Sequence, residues 1–355
     1  MTLQVCRSLR ELPEGFDEVF GEAAKSSFFL SLPWFMNLAD HGLPGDVRMR
    51  CYACSEGGAA AALPMMHVEG RRRLESASNY YASLYMPVVA GDGDALEKIA
   101  AEISEERWHV VDLHPLDRDS PLFARLEKAL ERAGMTVLPY FCFGNWHLDV
   151  AGRSADDYFS GLPSRLRNTL KRKRKRLDAV PGAKIGIVTG GEGLEAAIAD
   201  YQKVYQSSWK VPEPYPEFVP GLIRVCARHG WLRLGLLHCD GEPVAAQIWI
   251  VKDGIASIYK LAYDERFAAL SAGSILTAEL MRHVIDVDRV CEVDYLTGDD
   301  DYKRDWMSGR RERWGLVAYN RRTLKGRAMG WWFRGIRFAR RVVCRIGRGN
   351  GLRRS

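Results

Sequence analysis

The spacing of hydrophobic positions changes many times along the chain, and the order of those changes predicts its elements. Apolar residues recur at a helical period over 94–106 and 120–134, the latter closed by Gly134. Residues 28–41 predict another helix, entered through Ser31 and Pro33. Two strands, 49–55 and 58–69, are expected to form a hairpin through Glu56, Gly57 and Gly58. Further strands are expected at 108–116 and 145–150.

The second half is more regular. Residues 155–180 predict a helix pair broken at Gly161-Leu162-Pro163, followed by a strand at 184–190 and helices at 194–210 and 216–230. Strands follow at 231–240, 243–253 and 255–264, joined by the tight-turn pairs Gly241-Glu242 and Asp253-Gly254. Then come a loop, a helix at 273–286, a strand at 292–298, a helix at 299–309 and a strand at 311–320. The two halves share an element order, so a duplicated α/β (α+β) fold is expected. Its sheets should be mixed, mostly antiparallel, and flanked by helices. The expected domains are 1–150 and 151–322, with a tail at 323–355.

Composition narrows this picture. The chain has 355 residues, 47% of them hydrophobic, enough for the cores of two domains. No apolar run reaches the length of a membrane span, and the first residues lack the apolar stretch of a secretory signal, so a cytoplasmic location is expected. The eight cysteines are scattered. Cys51 and Cys54 lack a second pair at zinc-site spacing and read as thiols in a strand.

Charge is unevenly spread. No acidic residue follows Glu312, while 13 Lys and Arg do. A net charge of +6 for the whole chain therefore leaves the preceding body at −7. Within 328–348, Arg334, Arg337, Arg341, Arg345 and Arg348 make one helical stripe, and Trp332, Ile336, Ala339, Val343 and Ile346 the opposite one. Two tryptophans, many arginines and no acid describe a helix lying in anionic headgroups, which places the protein peripherally on the inner face of the cell membrane. A second basic element spans Arg165, Arg167 and the unbroken run Lys171 to Arg176. Such a helix suits the phosphates of CoA, an acidic acyl carrier protein, tRNA or anionic lipid.

The candidate chemistry lies at Leu270-Ser-Ala-Gly-Ser-Ile-Leu276, where a strand ending at Tyr263 passes through a loop into a helix. Free N–H groups and the positive helix end at Ser271, Ala272, Gly273 and Ser274 suit a diphosphate. Asp294 lies in the following strand, on the same face as Glu292, where a carboxylate is costly unless paired or functional. It is the candidate general base, with Glu279, His283 and Gln247 behind it.

Several motifs together carry a resemblance. They are Arg165-Leu-Arg-Asn168, Ser208-Trp209, Gly241-Glu-Pro-Val-Ala-Ala-Gln247, Ser271-Ala-Gly273, and Asp294 through Tyr302-Lys303. Residues 155–320 resemble the acetyltransferase domain of CelD-type proteins of the GNAT superfamily. They are also similar to FemAB-type transferases, which place two GNAT folds in one chain. The first half matches more loosely, through Leu32-Pro-Trp34 and Asn79-Tyr-Tyr81. One departure is that Ser-Ala-Gly-Ser has a single glycine where the family loop usually has two.

The resemblance implies an N-acyltransferase that uses an acyl-CoA or acyl carrier protein thioester, without a metal. It implies Tyr302 as proton donor to the leaving thiolate, and Lys303 as a contact to a phosphate or acidic group. Tyr263, Ser271, Ala272, Gly273, Ser274, Arg165 and Arg167 are then the expected donor-binding residues. A peripheral tail fits an amine-bearing lipid acceptor, such as a sphingoid base acylated to ceramide. An envelope sugar amine, an aminoacyl-tRNA donor as in the FemAB type, and a non-enzymatic binding module are the alternatives.

Overall fold

The computed structural model describes residues 2–332 and Gly335. In chain order its strands and helices are β1 (Thr2–Cys6), α1 (Phe16–Ala23), α2 (Leu32–His41), β2 (Val47–Glu56), β3 (Ala59–Val68), β4 (Arg73–Ser76), β5 (Val88–Ala90), α3 (Ala95–Glu105), β6 (Val110–Asp117), α4 (Pro121–Arg132) and β7 (Met135–Asp149). The second half continues with α5 (Ala155–Gly161), α6 (Ser164–Asp178), β8 (Lys184–Val188), α7 (Leu194–Gln206), α8 (Phe218–Arg228), β9 (Leu232–Cys239), β10 (Glu242–Lys252), β11 (Ile255–Tyr263), α9 (Ala272–Asp286), β12 (Glu292–Thr297), α10 (Asp301–Arg304) and β13 (Gly309–Asn320).

Contacts group the chain into two compact units. The first comprises Met1–Val19, Gly45–Cys142 and Trp314–Ser355; the second comprises Phe20–Pro44 and Phe143–Arg313. This grouping differs from a single cut near residue 150. The segment around α2 belongs with the second unit because Trp34 packs edge-on against Phe218, 5.6 Å between ring centres, and Asn37 donates to the Phe218 carbonyl at 3.1 Å.

In the first unit, β1, β2, β3, β4 and β6 follow one another as neighbours, and β5 pairs with β3. The β2–β3 hairpin turns at Gly57 and Gly58, both at positive φ. The β4–β6 pair is parallel, with α3 as its crossover. The helices α3 and α4 are amphipathic and bury Leu96, Ile99, Ile103, Leu126 and Leu130.

In the second unit the order is β7, β12, β11, β10, β9, β8. There β11 and β12 run parallel, while β7–β12, β11–β10, β10–β9 and β9–β8 are antiparallel. One face of this sheet carries α9 with α5 and α6, and the other carries α7, α8 and α2. The core under α9 contains Trp249, Ile258, Leu276, Leu280 and Val293.

Two expectations shift in detail. The strand anticipated at 145–150 begins at Met135, and the helix anticipated at 299–309 is only the four residues of α10. Asp300 makes no side-chain cap there, and Trp306 and Met307 turn into the core instead. Of the tail segment 328–348, positions 333, 334 and 336–348 lie outside the described residues. Residues 324–332 are helical, with Thr323, Gly326 and Gly330 buried. Leu324, Trp331 and Trp332 are exposed on the opposite side.

Candidate active site

The site forms where β11 and β12 part. Their parallel register covers Ile255 to Ser257 against Glu292 to Asp294 and then stops, although β11 continues to Tyr263. Beyond Ser257 the edge of β11 facing β12 is open, while its other edge stays paired with β10. Leu296, at φ 56°, adopts the left-handed conformation and turns β12 away from the regular ladder. Such a backbone on a bulky side chain costs on the order of 1–2 kcal/mol, and strain of this kind concentrates at functional positions.

The open edge leads into α9. Ser271 is also left-handed, at φ 54°, and makes no side-chain cap to the helix that follows. The first α9 amides are therefore left for an incoming anion, reinforced by the helix dipole. Tyr263 lies against this turn: a Cβ at Gly273 would meet its ring at 3.2 Å, so any larger residue there must push the ring aside. Trp209 in turn packs on Tyr263, ring centres 4.6 Å apart.

A buried polar relay connects this turn to Tyr302. Trp249 Nε1 donates to Gln247 Oε1 at 2.9 Å, and Gln247 Nε2 donates to the Gly273 carbonyl and Thr277 Oγ1, each at 2.8 Å. Thr277 hydrogen-bonds with Tyr295, and Tyr295 with Tyr302. The two tyrosine rings meet edge-on, 5.7 Å apart. Burial, and then Asp300, pushes the Tyr302 phenol above its usual range, so it holds its proton while its ring remains half exposed. Gln247, one of the lesser base candidates, is thus a brace for the first turns of α9.

Asp294 is buried and fully engaged. Its Oδ1 accepts from Asn145 Nδ2 at 2.6 Å and from the Leu296 N–H at 2.7 Å. Its Oδ2 accepts from Arg311 Nη2 at 2.6 Å. Arg311 also reaches Glu292 Oε1 at 2.7 Å, so the shared face read from the sequence is used by one guanidinium. A carboxylate with this set of donors holds β7, β12 and β13 together and pins the strained Leu296. Three donors thus occupy most of its acceptor sites before any substrate arrives.

Lys303 is buried as well. Its ammonium donates to the Thr297 carbonyl at 2.5 Å and lies 3.6 Å from Asp300. Burial lowers its pKa, opposed by Asp300. It fastens the turn after β12 instead of reaching outward to a phosphate.

The basic helix α6 divides into two parts. Leu170 and Leu177 are buried, with Lys173 on the same stripe. Lys173 donates to the Ala269 carbonyl at 2.5 Å and so lies beside the α9 entrance, while Arg174 pairs with Asp178 at 2.9 Å and, further along α9, with Glu279 at 2.5 Å. Arg165 and Arg167 sit two to three turns earlier, about 10–14 Å along the helix from Arg174. Arg167 bonds back to Ser160 and Ser164, and Arg165 is exposed. Of these four cations, Lys173 is the one in contact with the loop.

Sequence reasoning passed over a cluster on the opposite face of the sheet. Glu213 and Lys260 form an ion pair at 2.8 Å, with side chains 10% and 9% exposed. The second oxygen of Glu213, Oε2, is buried without a hydrogen-bond partner. Lys210 lies near the rings of Tyr205 and Trp209. Burial, then Lys260, brings its pKa down to about 8. A sequence signal existed: Lys260 is the one charge inside the apolar strand 255–263, and such a residue requires a partner.

Residues 164–304 match the model of the acetyltransferase (GNAT) domain family. No curated protein matches the sequence. Three solved structures are similar over most of the chain. FemX is 11% identical, with a TM-score of 0.60 over 90% of this chain and 97% of its own. A conserved protein of unknown function from Bacteroides thetaiotaomicron is also 11% identical, with a TM-score of 0.58 over 90% and 100%. A tandem GNAT protein from the clavulanic acid biosynthesis pathway is 12% identical, with a TM-score of 0.51 over 89% and 98%. At these identities the likeness shows the fold alone: a mixed α/β fold like that of FemX and the tandem GNAT protein.

Proposed function

We propose that the protein is an acyl-CoA-dependent N-acyltransferase acting on an amine-bearing lipid or envelope precursor. The observation carrying this reading is the opening between β11 and β12, which ends at the uncapped first turn of α9. In the proposed complex the CoA diphosphate binds the amides of Ala272, Gly273 and Ser274, with Lys173 nearby. The thioester then lies along the open edge of β11, whose N–H groups stabilise the oxyanion.

The acceptor approaches from the face bearing Lys210, Glu213 and Lys260. Its neutral amine attacks the thioester carbonyl, forming the C–N bond. The unpaired Glu213 oxygen takes the nitrogen's proton as the tetrahedral intermediate collapses. The C–S bond then breaks, and the thiolate leaves with the Tyr302 proton. Asp294, the base expected from strand position, is assigned here to holding Arg311 and Leu296.

A membrane-surface acceptor is favoured by the exposed side of residues 324–332, where Leu324, Trp331 and Trp332 project from a helix buried on its other side. A sphingoid base is the specific acceptor this favours, and an envelope sugar amine is the polar alternative. The experiment is turnover with palmitoyl-CoA and a panel of primary amines including sphinganine and glucosamine, followed by mass spectrometry of N-acyl products. Stabilisation by aminoacyl-tRNA without any by palmitoyl-CoA would transfer the assignment to a FemAB-like donor. Neither effect would favour a binding module.

A further inference from the structure

The first unit contains a cavity of about 460 Å³, a volume suited to a small ligand. Arg50, His67, Arg71, Arg72, Glu106 and Trp108 line it. Three separate pieces of chain build it: β2 brings Arg50, the end of β3 and the turn after it bring His67, Arg71 and Arg72, and the turn between α3 and β6 brings Glu106 and Trp108. The His109 N–H donates to the Arg72 carbonyl at 2.8 Å and joins the two turns.

Charge in this cavity is unbalanced. Glu106, its acidic lining residue, is already held by three donors. It accepts from Arg50 at 2.6 Å, the Tyr52 hydroxyl at 2.5 Å and Trp108 Nε1 at 2.7 Å. The nearby Glu69 is taken by Arg48, 3.0 Å away. Arg71 and Arg72, which also line it, are exposed, and neither forms an ion pair among the described residues. Two further polar atoms are buried there without partners, Arg50 Nε and His67 Nδ1, the latter a donor in the ring form that carries a proton on Nδ1. Concave, uncompensated positive charge with unused donors is the chemistry of an anion site.

We propose that this cavity binds a phosphate monoester: Arg71 and Arg72 supply the two uncompensated positive charges for the dianion, and Arg50 and His67 supply the buried donors. The site belongs to the first unit and does not depend on the transferase reading of the second. The phosphate could come from a soluble ester or from a lipid headgroup, and the test separates them.

His67 is the local reporter. Burial lowers its pKa first, followed by Arg50 and Arg48, with Glu106 and Glu69 opposing. A bound dianion acts in the raising direction. In the full-length protein, the His67 ring resonance is assigned with His67→Gln and titrated with glycerol 3-phosphate and, separately, with short-chain phosphatidic acid. Saturation by either probe at or below about 1 mM, with a rise in the His67 pKa, supports the site. Response to both assigns the soluble source, and response only to phosphatidic acid assigns the headgroup. Arg71→Ala/Arg72→Ala, both at exposed positions, should weaken the responding probe about tenfold or more. No response to either probe up to about 10 mM overturns the proposal, as does a response the double variant retains in full.

Discussion

Replacing Asp294 by asparagine separates an anchoring carboxylate from a catalytic one. Asparagine keeps an oxygen for the Asn145 amide and the Leu296 N–H, but loses the charge-assisted bond to Arg311. Arg311 retains Glu292, so no guanidinium is stranded. The loss is therefore smaller than the roughly 3–5 kcal/mol for breaking a buried pair outright. It should fall near 2 kcal/mol, the scale of one hydrogen bond to a charged group. In a unit of roughly 200 residues that lowers the melting temperature by about 4–8 °C. Calorimetry gives the shift, and CoA release from palmitoyl-CoA with an accepted amine gives the rate. The expected result is a destabilised protein that keeps its kcat within about threefold at a temperature where it is folded. An unchanged melting temperature with a hundredfold loss of kcat would show that Asp294 is the base and that the anchoring argument is wrong.

Other outcomes follow from the same geometry. Glu213→Gln should reduce kcat by about 10²–10⁴-fold with CoA affinity unchanged by calorimetric titration; an unaltered rate removes Glu213 from the chemistry. Tyr302→Phe should lower kcat about tenfold or more with little change in KM, and equal loss in both parameters would point to binding instead. Gly273→Ala should weaken CoA about tenfold, because the added methyl meets Tyr263 at 3.2 Å. Lys210, depressed to about 8 in the folded chain from an ordinary 10.5, binds fewer protons folded than unfolded between those values. Its contribution to stability is therefore most unfavourable below pH 8 and is relieved as pH rises toward 10.5. Lys210→Met should thus be more stable than the parent at pH 7, by about 1–2 kcal/mol after allowance for partial exposure, with the gap closing by about pH 10 in denaturant titrations. A chain ending at Lys325 should fail to float with anionic vesicles that carry the full chain, and flotation of the shortened chain would refute the membrane reading.

Much of the architecture was legible because it is local. Period 3.6 in α4 and α9, period 2 and tight turns around β9 to β11, and the loop before α9 depend on neighbours a few residues away. The basic tail and its tryptophans are equally visible in the letters. What each polar residue does was decided at longer range. Asn145 meets Asp294 across 149 positions, and Glu213 meets Lys260 across 47. No periodicity encodes such pairs, because they exist only once separate strands and loops are brought together. Lys303 is expected to contact a phosphate or acidic group, but in the fold its buried ammonium donates to the Thr297 carbonyl. Arg165 and Arg167 read as one patch with Lys173 and Arg174 until the helix axis separates them. Sequence alone determined that a Ser-Ala-Gly-Ser loop opens a helix in the second half of a duplicated fold. Only tertiary structure decided which carboxylate is occupied and which keeps a free oxygen, because desolvation and pairing belong to the assembled environment and not to the residue.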